Sequence, residues 1–510
     1  MPSRDDAARP RSIRALVALV FVVLATLNSA GYRFGAGDQA FYLPAIQRHL
    51  EPEAFPRDRL LIDDQDRLNV FPRVAAVLVS SAGVPQPVLF LGLYVLALLL
   101  LGWAACALAS HLGLSSWAQA AVLAALTLKH RVGMTGANTL EGYGHPRMLA
   151  FALGLAAVVS VLRARPAAAL ALVAAAFVVH PTTAFWYGIW AGVALMAADR
   201  RLRPRLLAAG GGAAIVAAWA VGWGPLSPQL VQMDETWLGV LAGKDYLFAT
   251  RWPADAWAVA ALYVAVPAAA FAVRLRAGVA RPREGAMVLG LAALVAVFVL
   301  TLPLVASRVA LAVQFQVSRV FWMLDLAATV YAVWALADAG RAPAGTIHAR
   351  RRAVVVACVL LAVAAARGAW VMRIEHPGRP IVQITLPEDE WQDAMNWLRQ
   401  QPLSMHVLAD PSHAWRHATS VRVAAGRDVY LEEVKDTAMA MYSRRVAVRV
   451  AERIGAVGDF NALTPASART LAERFGLDVL VTERTMDLPL AYRNARFAIY
   501  RLGPQTPPGG

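Results

Sequence analysis

Long apolar blocks recur along this 510-residue chain, and they constrain its fold more than any other feature. A helix of roughly 20 apolar residues crosses the hydrocarbon core of a bilayer, which is about 30 Å thick. Because lipid offers no hydrogen-bond partners, the backbone must satisfy itself within each crossing segment. Hydrophobic residues make up 58% of the chain and charged residues 16%, more apolar surface than a soluble domain needs. The sequence therefore predicts an all-α polytopic membrane bundle.

The apolar blocks predict about eleven membrane crossings, judged from their length and hydropathy. His180-Pro181 is either a kink within one helix or the boundary between two helices. The shorter apolar run from Phe71 to Gly83 predicts a helix that lies at the membrane interface. The predicted crossings cover residues 13–30, 87–109, 116–129, 148–163, 166–180, 182–198, 205–222, 254–273, 286–306, 319–338 and 353–371.

Arginine-rich links between these blocks predict the orientation of the chain. Short loops that carry Lys and Arg stay in the cytoplasm, because their transfer across the membrane is disfavoured. This rule places the N-terminus in the cytoplasm and the residues after 372 outside. It also accounts for the net charge of +15, so the basic composition does not indicate nucleic-acid binding. The first block lacks a good small-residue cleavage site, which favours an uncleaved anchor over a signal peptide. The basic links contain Arg163, Arg165, Arg200, Arg201, Arg203, Arg205, Arg274, Arg276, Arg281, Arg283, Arg350, Arg351 and Arg352.

Four segments that this topology places outside carry most of the unusual polar chemistry. They cover residues 31–86, 129–147, 223–252 and 308–319. Loops longer and more polar than a connection requires usually form a site, and helical bundles place ligand pockets between their helices. We therefore expect the functional site on the outer face.

Two domains are predicted. Residues 1–371 form the transmembrane domain with the long outer loop 31–86, and residues 372–510 form a small extracytoplasmic α/β domain with ordinary charge density. The patterned segments of the second domain are a helix within Pro387–Gln400, strands at Met405–Ala409 and Val479–Thr482, a helix from Thr464-Pro465 to Gly476, and a final strand within Tyr492–Leu502.

The run Gly37-Asp38-Gln39-Ala40-Phe41-Tyr42 lies near the start of the first outer loop. A carboxylate there can act as a general base toward an acceptor hydroxyl, or it can hold a divalent cation. Asp38 has an alternative role as the N-cap of a helix that begins near Phe41. Arginines on the same face can neutralise a phosphate leaving group through charge-assisted hydrogen bonds. The candidates are Arg131, Arg147, Arg308 and Arg319.

This plan resembles the GT-C superfamily of integral membrane glycosyltransferases. The resemblance rests on the topology, the long first outer loop with an early acid, the outer C-terminal domain, and the residues Gly37-Asp38-Gln39 with Tyr42. Members take a sugar from a polyprenyl-phosphate donor, and the first-loop acid is their usual catalytic or metal-binding residue. The resemblance implies a bacterial inner-membrane enzyme in which Asp38 is the base and Gln39 and Tyr42 contact the substrate.

Many members of that superfamily carry two adjacent acids, whereas Gln39 follows Asp38 in this chain. A divalent cation therefore stays an open possibility, without an assigned ligand set. Glu141 of the second outer segment is the candidate for a second catalytic acid, and Asp63 or Asp64 could serve instead. The clustered acids around Asp63 lack the glycine and distal glutamate of a calcium loop, which favours a solvated turn.

The second outer segment ends in the run Glu141–Arg147, whose glycines permit a tight backbone path into the next span. Its polar groups make His145 a further candidate for substrate contact. His130 and His145 lack a third ligand at helical spacing, so no zinc site is predicted. His180 lies deep in an apolar block, where an ionisable residue is either functional or part of a helix break.

The sequence favours a membrane glycosyltransferase that uses a lipid-linked sugar donor. Two alternatives without covalent chemistry stay open: a transporter or binder of lipid-linked glycans, and an assembly scaffold. The overall plan is also similar to bacterial membrane proteins of the same build that have no assigned activity. The sugar, the acceptor and the oligomeric state do not follow from the residues.

Overall fold

A computed structural model describes residues 11–67, 69–128, 132–339 and 347–503. Contacts between Cα atoms divide the chain into two compact units. The first, the helical unit, comprises residues 1–32, 92–232 and 245–382, and the second, the mixed unit, comprises residues 33–91, 233–244 and 383–510. The first outer loop, which we predicted within the transmembrane domain, thus belongs to the same unit as the C-terminal region. Hydropathy finds the spans but not this long-range packing.

Every predicted crossing coincides with a helix in the structure. Within the described ranges, six helices are long and apolar enough to cross a membrane by length and composition. The count of eleven crossings stays a prediction, because the other helices are shorter or less apolar. The six are Gln86–His111, Arg203–Gly222, Ala254–Arg276, Glu284–Ala306, the segment Ala310–Ala337 and the segment Arg350–Glu375.

The helical unit is built from packed apolar helices. Helix Arg203–Gly222 buries none of its side chains in the protein, which for so apolar a helix is the pattern expected of contact with lipid. Helix Pro166–Val179 ends where Pro181–Ala198 begins, so His180-Pro181 is a boundary and not a kink. The remaining helices of this unit are Arg11–Asn28, Ser116–Thr127, Pro146–Leu162, Ala310–Gln314, Val320–Ala337 and Ile347–Trp370, the last extended by a π-helical turn at Val371–Glu375.

The strands, in chain order, are β1 (Tyr32–Arg33), β2 (Val382–Gln383), β3 (His406–Leu408), β4 (Asp428–Val429), β5 (Val479–Thr482), β6 (Leu490–Arg493) and β7 (Ala498–Arg501). β1 pairs with β2, and the other five form one sheet in the order β4-β3-β5-β7-β6. β3 is parallel to both β4 and β5, and β7 is antiparallel to β5 and β6. β3 and β5 are buried on both faces, as is typical of central parallel strands covered by helices.

Helices surround this sheet in the mixed unit. Helix Glu390–Arg399 places Trp391, Met395 and Leu398 against β3 and β5 in one apolar core. Helix Pro465–Phe475 has the predicted start and stop, because Thr464 and Ser467 form a capping box and Gly476 adopts the left-handed conformation. The other helices are Gln39–Leu50, Arg59–Asp66, Phe71–Ala82, Glu235–Val240, His413–Arg416, Val421–Ala424, Glu433–Met439 and Arg444–Val457.

The final strand predicted within Tyr492–Leu502 is confirmed as β7, which forms a hairpin with β6. Asn494 turns the chain between them by accepting hydrogen bonds from the backbone N–H groups of Arg496 and Phe497. One local prediction is wrong. The acids around Asp63 lie on helix Arg59–Asp66 and not in a turn. Ion pairs with Arg48 and other basic groups stabilise these acids on the helix.

Candidate functional site

Asp38 lies directly before helix Gln39–Leu50 in the mixed unit. Gly35 and Gly37 adopt positive φ, which lets the chain turn sharply into the helix. The buried side chain of Gln39 accepts a hydrogen bond from the Gly35 backbone N–H at 2.6 Å. Asp38 occupies the N-cap position, as one interpretation of the sequence predicted, but its side chain makes no capping hydrogen bond.

The partner of Asp38 is a lysine that the sequence did not suggest. Lys435 Nζ lies 2.8 Å from Asp38 Oδ1 and 5.0 Å from the centre of the Phe41 ring. The Asp38 side chain is 27% exposed, which leaves the carboxylate accessible to a substrate. Ion pairing and a cation–π contact therefore fix the lysine, and the lysine in turn orients the carboxylate.

A second lysine lies near the first. Lys244 Nζ donates a hydrogen bond to the Val434 carbonyl at 3.2 Å. Burial lowers the pKa of Lys244, and the positive charge of Lys435 lowers it further, while Asp38 acts in the opposite direction. Only three lysines occur in the sequence, beside 46 arginines; one of them pairs with Asp38, and the charge of Asp38 acts on a second. This scarcity was the sequence signal that could have identified them.

Lys435 is held in place by a buried charge cluster in the mixed unit. Arg422 binds Asp436, the neighbour of Lys435, through two hydrogen bonds of 2.6 and 3.1 Å, and it binds Asp58 at 2.8 Å. Arg449 also pairs with Asp58. Since these carboxylates and Arg422 are almost fully buried, each depends on its partners for charge compensation. The cluster fixes helix Glu433–Met439 and with it the lysine.

Burial also acts on the two other acids of this cluster. It raises the pKa of Glu432 to about 7, and burial together with the negative charge of Asp58 raises the pKa of Asp428 to about 6. Asp428 accepts hydrogen bonds from the backbone N–H groups of Arg57 and Asp58 at 3.0 Å. Asp428 therefore stabilises the loop that precedes helix Arg59–Asp66, while Glu432 lies beside Arg422.

Glu141 and Arg147 form a second candidate cluster, in the helical unit. Arg147 Nη2 lies 2.5 Å from Glu141 Oε1, and both side chains are buried. Within the described ranges, Glu141 Oε2 makes no hydrogen bond although it is buried. His145 caps helix Pro146–Leu162, since its Nδ1 accepts a hydrogen bond from the Arg147 backbone N–H at 2.9 Å. The predicted residues Glu141, His145 and Arg147 are therefore close together.

His180 and Arg319 join this cluster. The rings of His145 and His180 are 6.2 Å apart, and the charges of Arg147 and Arg319 both act on the His180 ring. Arg319 is buried in the 3-10 turn Val317–Arg319 that leads into helix Val320–Ala337. His180 also caps the next helix through Thr183, so the helix-break interpretation of this residue is confirmed, and its neighbours add a basic environment.

The other predicted binding residues are more scattered. Tyr42 is buried and packs edge-to-face on Phe71 with ring centres 5.5 Å apart. Arg308 is half-buried and has a positive φ just after helix Glu284–Ala306. Arg131 lies outside the described residues. The substrate contacts proposed for these three residues, and for Gln39, stay predictions.

No group of three or more His, Cys, Asp or Glu side chains is placed to hold a metal ion in the part of the chain that the structure describes. Asp38 pairs with a lysine, and Glu141 pairs with an arginine. The structure therefore supplies no ligand set on which to place the divalent cation that the sequence left open.

Gly142 allows the Glu141 loop to approach the backbone that follows the first helix. A Cβ atom at this position would lie 2.4 Å from the Gly31 carbonyl oxygen and 2.5 Å from that of Ser29. We expect Gly142→Ala to lower the free energy of unfolding of the solubilised protein by about 1–3 kcal/mol, because backbone atoms must shift. Thermal unfolding measures this loss. Gly210→Ala, where a Cβ meets no atom, is the control, and equal stability of the two variants would contradict the prediction.

Comparison with known proteins bears on the fold. No protein-family model matches the sequence, and no curated protein matches it significantly. Among solved structures, the chain is similar to arabinofuranosyltransferase AftD from mycobacteria, with a TM-score of 0.50 and 16% sequence identity. The match covers 98% of this chain and 42% of the other, so this chain spans less than half the length of that protein. At this identity the similarity shows a shared fold and assigns no activity to this chain.

Proposed function

We propose that the chain is a membrane glycosyltransferase, which moves a sugar from a polyprenyl-phosphate donor to an acceptor at the outer face of a bacterial inner membrane. The observation that carries this proposal is the accessible Asp38 carboxylate, oriented by Lys435 directly before the first helix of the mixed unit. The GT-C-like fold supports it, because the early acid of the first long loop is where the resemblance places the catalytic residue. Since the similar structure is named an arabinofuranosyltransferase, a polyprenyl-phosphate arabinofuranose is the first donor to test.

The chemistry assigned to Asp38 is general-base catalysis. An acceptor hydroxyl oxygen attacks the anomeric carbon of the donor sugar, and Asp38 takes the hydroxyl proton. The bond between the anomeric carbon and the phosphate oxygen breaks, and the polyprenyl phosphate leaves with the electron pair. Lys435 pairs with the ionised carboxylate, which is the form that accepts a proton. The products are the extended acceptor and the lipid phosphate.

The phosphate of the donor needs cationic partners. We assign this role to Arg319 and Arg147 of the helical unit, where His145 and His180 add hydrogen-bonding groups. A guanidinium group matches a phosphate in charge and in geometry, and such charge-assisted hydrogen bonds are stronger than neutral ones. Arg147 pairs with Glu141, and Arg319 is buried close enough for its charge to act on the same His180 ring, so we test Arg319 as a ligand of the phosphate.

We expect Arg319→Gln to raise the KM for the lipid-linked donor by about tenfold to a hundredfold, because a hydrogen bond to a charged group contributes about 1.5–3 kcal/mol. Steady-state kinetics of sugar transfer, with the donor concentration varied at saturating acceptor, measures the change. The KM for the acceptor should stay within about twofold, since the replaced group contacts only the donor in this assignment.

Arg276→Gln is the matched control, because Arg276 is an exposed arginine at the end of helix Ala254–Arg276. A donor KM that is unchanged in Arg319→Gln would remove this arginine from donor binding. If the donor KM rises in Lys244→Met instead, the phosphate is bound by the lysines of the mixed unit.

A further inference from the structure

The segment 233–244 of the mixed unit ends at Lys244, a residue to which the proposed chemistry gives no role. Trp237 anchors this segment, because its side chain is buried and its indole N–H donates a hydrogen bond to the Ala440 carbonyl at 2.7 Å. Ala440 directly follows the helix that carries Lys435. The second lysine is therefore brought to the same helix as the first by contacts within the mixed unit.

The ammonium group of Lys244 has hydrogen-bonding capacity to spare. Of its three N–H donors, one binds the Val434 carbonyl at 3.2 Å. None of the residues that the structure describes forms an ion pair with Lys244. The side chain is half-buried, so water screens its charge only in part while the group stays within reach of a ligand. An anion can therefore bind to the remaining donors through charge-assisted hydrogen bonds.

The nearby ammonium group of Lys435 makes an anion still more favourable. Val434, which accepts the hydrogen bond from Lys244, immediately precedes Lys435 in the chain. Burial lowers the pKa of Lys244, and among the charges that act on it that of Lys435 has the largest effect. Asp38 acts in the opposite direction, but this carboxylate already pairs with Lys435 at 2.8 Å. A further anion beside the two ammonium groups reduces the repulsion between them.

The position of Asp38 decides which substrate carries this anion. As the proposed base, Asp38 contacts the acceptor hydroxyl. In a direct displacement, the attacking oxygen and the leaving phosphate lie on opposite faces of the donor sugar. Cationic groups beside the base therefore face the acceptor, whereas the donor phosphate lies across the anomeric carbon from them.

We propose that Lys244, together with Lys435, binds an anionic group of the acceptor, a phosphate or a carboxylate, next to the hydroxyl that Asp38 deprotonates. In assigning the anion to the acceptor, the inference rests on the proposed function. Lysine suits either anion, because its ammonium group is a compact charge with rotatable donors. Lys244 is then a residue that determines specificity, since a neutral acceptor lacks this contact and binds less tightly.

The test measures binding of small probes to the full chain in detergent by titration with saturation-transfer NMR. The anionic probes are arabinose 5-phosphate, glucose 6-phosphate and glucuronate, and the neutral probes are arabinose and glucose. Farnesyl phosphate represents the donor phosphate. We expect at least one anionic probe to bind about tenfold more tightly than its neutral counterpart, and Lys244→Met to weaken that probe about tenfold, as for the loss of one hydrogen bond to a charged group.

Arg469→Met is the matched control, because it removes one positive charge from an exposed position of the same unit. This variant should bind every probe as the unchanged protein does. Farnesyl phosphate should keep its affinity in Lys244→Met, since the donor phosphate is assigned to other residues. Thermal unfolding of both variants reports on the integrity of the fold.

Three results would overturn this inference: equal affinity of the unchanged protein for the anionic probes and their neutral counterparts, equal affinity for the anionic probe in Lys244→Met and Arg469→Met, or a loss in Lys244→Met confined to farnesyl phosphate. The first comparison needs no variant, so it holds even if a substitution disturbs the fold. The last result assigns the lysines to the donor phosphate.

Asp38→Asn separates this inference from the proposed function. If the variant loses sugar transfer and still binds the anionic probe, both proposals stand. If the unchanged protein binds the probe through Lys244 but transfers no sugar, the glycosyltransferase proposal fails and the anion site stands. If transfer occurs and Lys244→Met binds the anionic probe as tightly as the unchanged protein, only the anion site fails.

Discussion

Replacement of Asp38 by asparagine should lower the rate of sugar transfer by about 10²–10⁴-fold, which is the usual contribution of a general base. Asparagine keeps the shape of the side chain but cannot take the proton of the acceptor hydroxyl. Because Lys435 is only 2.8 Å from the carboxylate, we also expect Lys435→Met to lower the rate, through loss of orientation of Asp38. Transfer of radiolabelled sugar from the lipid-linked donor measures both effects.

The control for this experiment is Glu53→Gln, which changes another acid of the same loop. The Glu53 side chain is 86% exposed, and its carboxylate lies 3.6 Å from the guanidinium group of Arg59. This variant should transfer sugar at the rate of the unchanged protein. An Asp38→Asn variant that transfers sugar equally well would exclude Asp38 as the base. If the unchanged protein shows no transfer at all, the transporter and scaffold alternatives gain support.

Arg422→Met should lower the free energy of unfolding of the mixed unit by about 3–5 kcal/mol, because it leaves buried carboxylates without a compensating charge. Asp436 loses two hydrogen bonds, and Asp58 keeps its ion pair with Arg449 and the hydrogen bond from the Val429 backbone N–H. The loss should appear as faster hydrogen exchange in β3 and β5, which are local reporters of this unit. Mass spectrometry of the corresponding peptides measures it.

Arg469→Met is the matched control, since Arg469 is exposed on helix Pro465–Phe475. Its effect should be within about 0.5 kcal/mol, as for most surface substitutions. A similar exchange rate in both variants would show that the buried cluster does not stabilise the unit. The triple variant that also carries Asp58→Asn and Asp436→Asn should recover part of the loss, because it removes the uncompensated charges.

Local patterns predicted much of the fold. Apolar blocks marked the helices, since hydropathy and length depend only on neighbouring residues. Thr464-Pro465 and Gly476 marked both ends of a helix, because capping is decided within one turn. The short strand β4 was missed, since two residues carry too little periodicity to be recognised.

Part of the candidate site was likewise predictable from local sequence, and part was not. Glu141, His145 and Arg147 are close in sequence, and the structure brings them together as the run of residues suggested. The sequence placed Asp38 at the start of a helix, and the structure has it at the N-cap position. Only the structure shows that its side chain pairs with Lys435 and makes no capping hydrogen bond.

The sequence by itself determined that this chain is a helical membrane protein with an acid near the start of a long polar loop. Tertiary structure alone decided what that acid meets, because Asp38 and Lys435 are 397 residues apart and Asp58 and Arg422 are 364 residues apart. Hydropathy and helical periodicity act over a few turns, whereas such pairs form only when the whole chain closes around them. For the contact between Asp38 and Lys435, the scarcity of lysine was the sequence feature that could have indicated it.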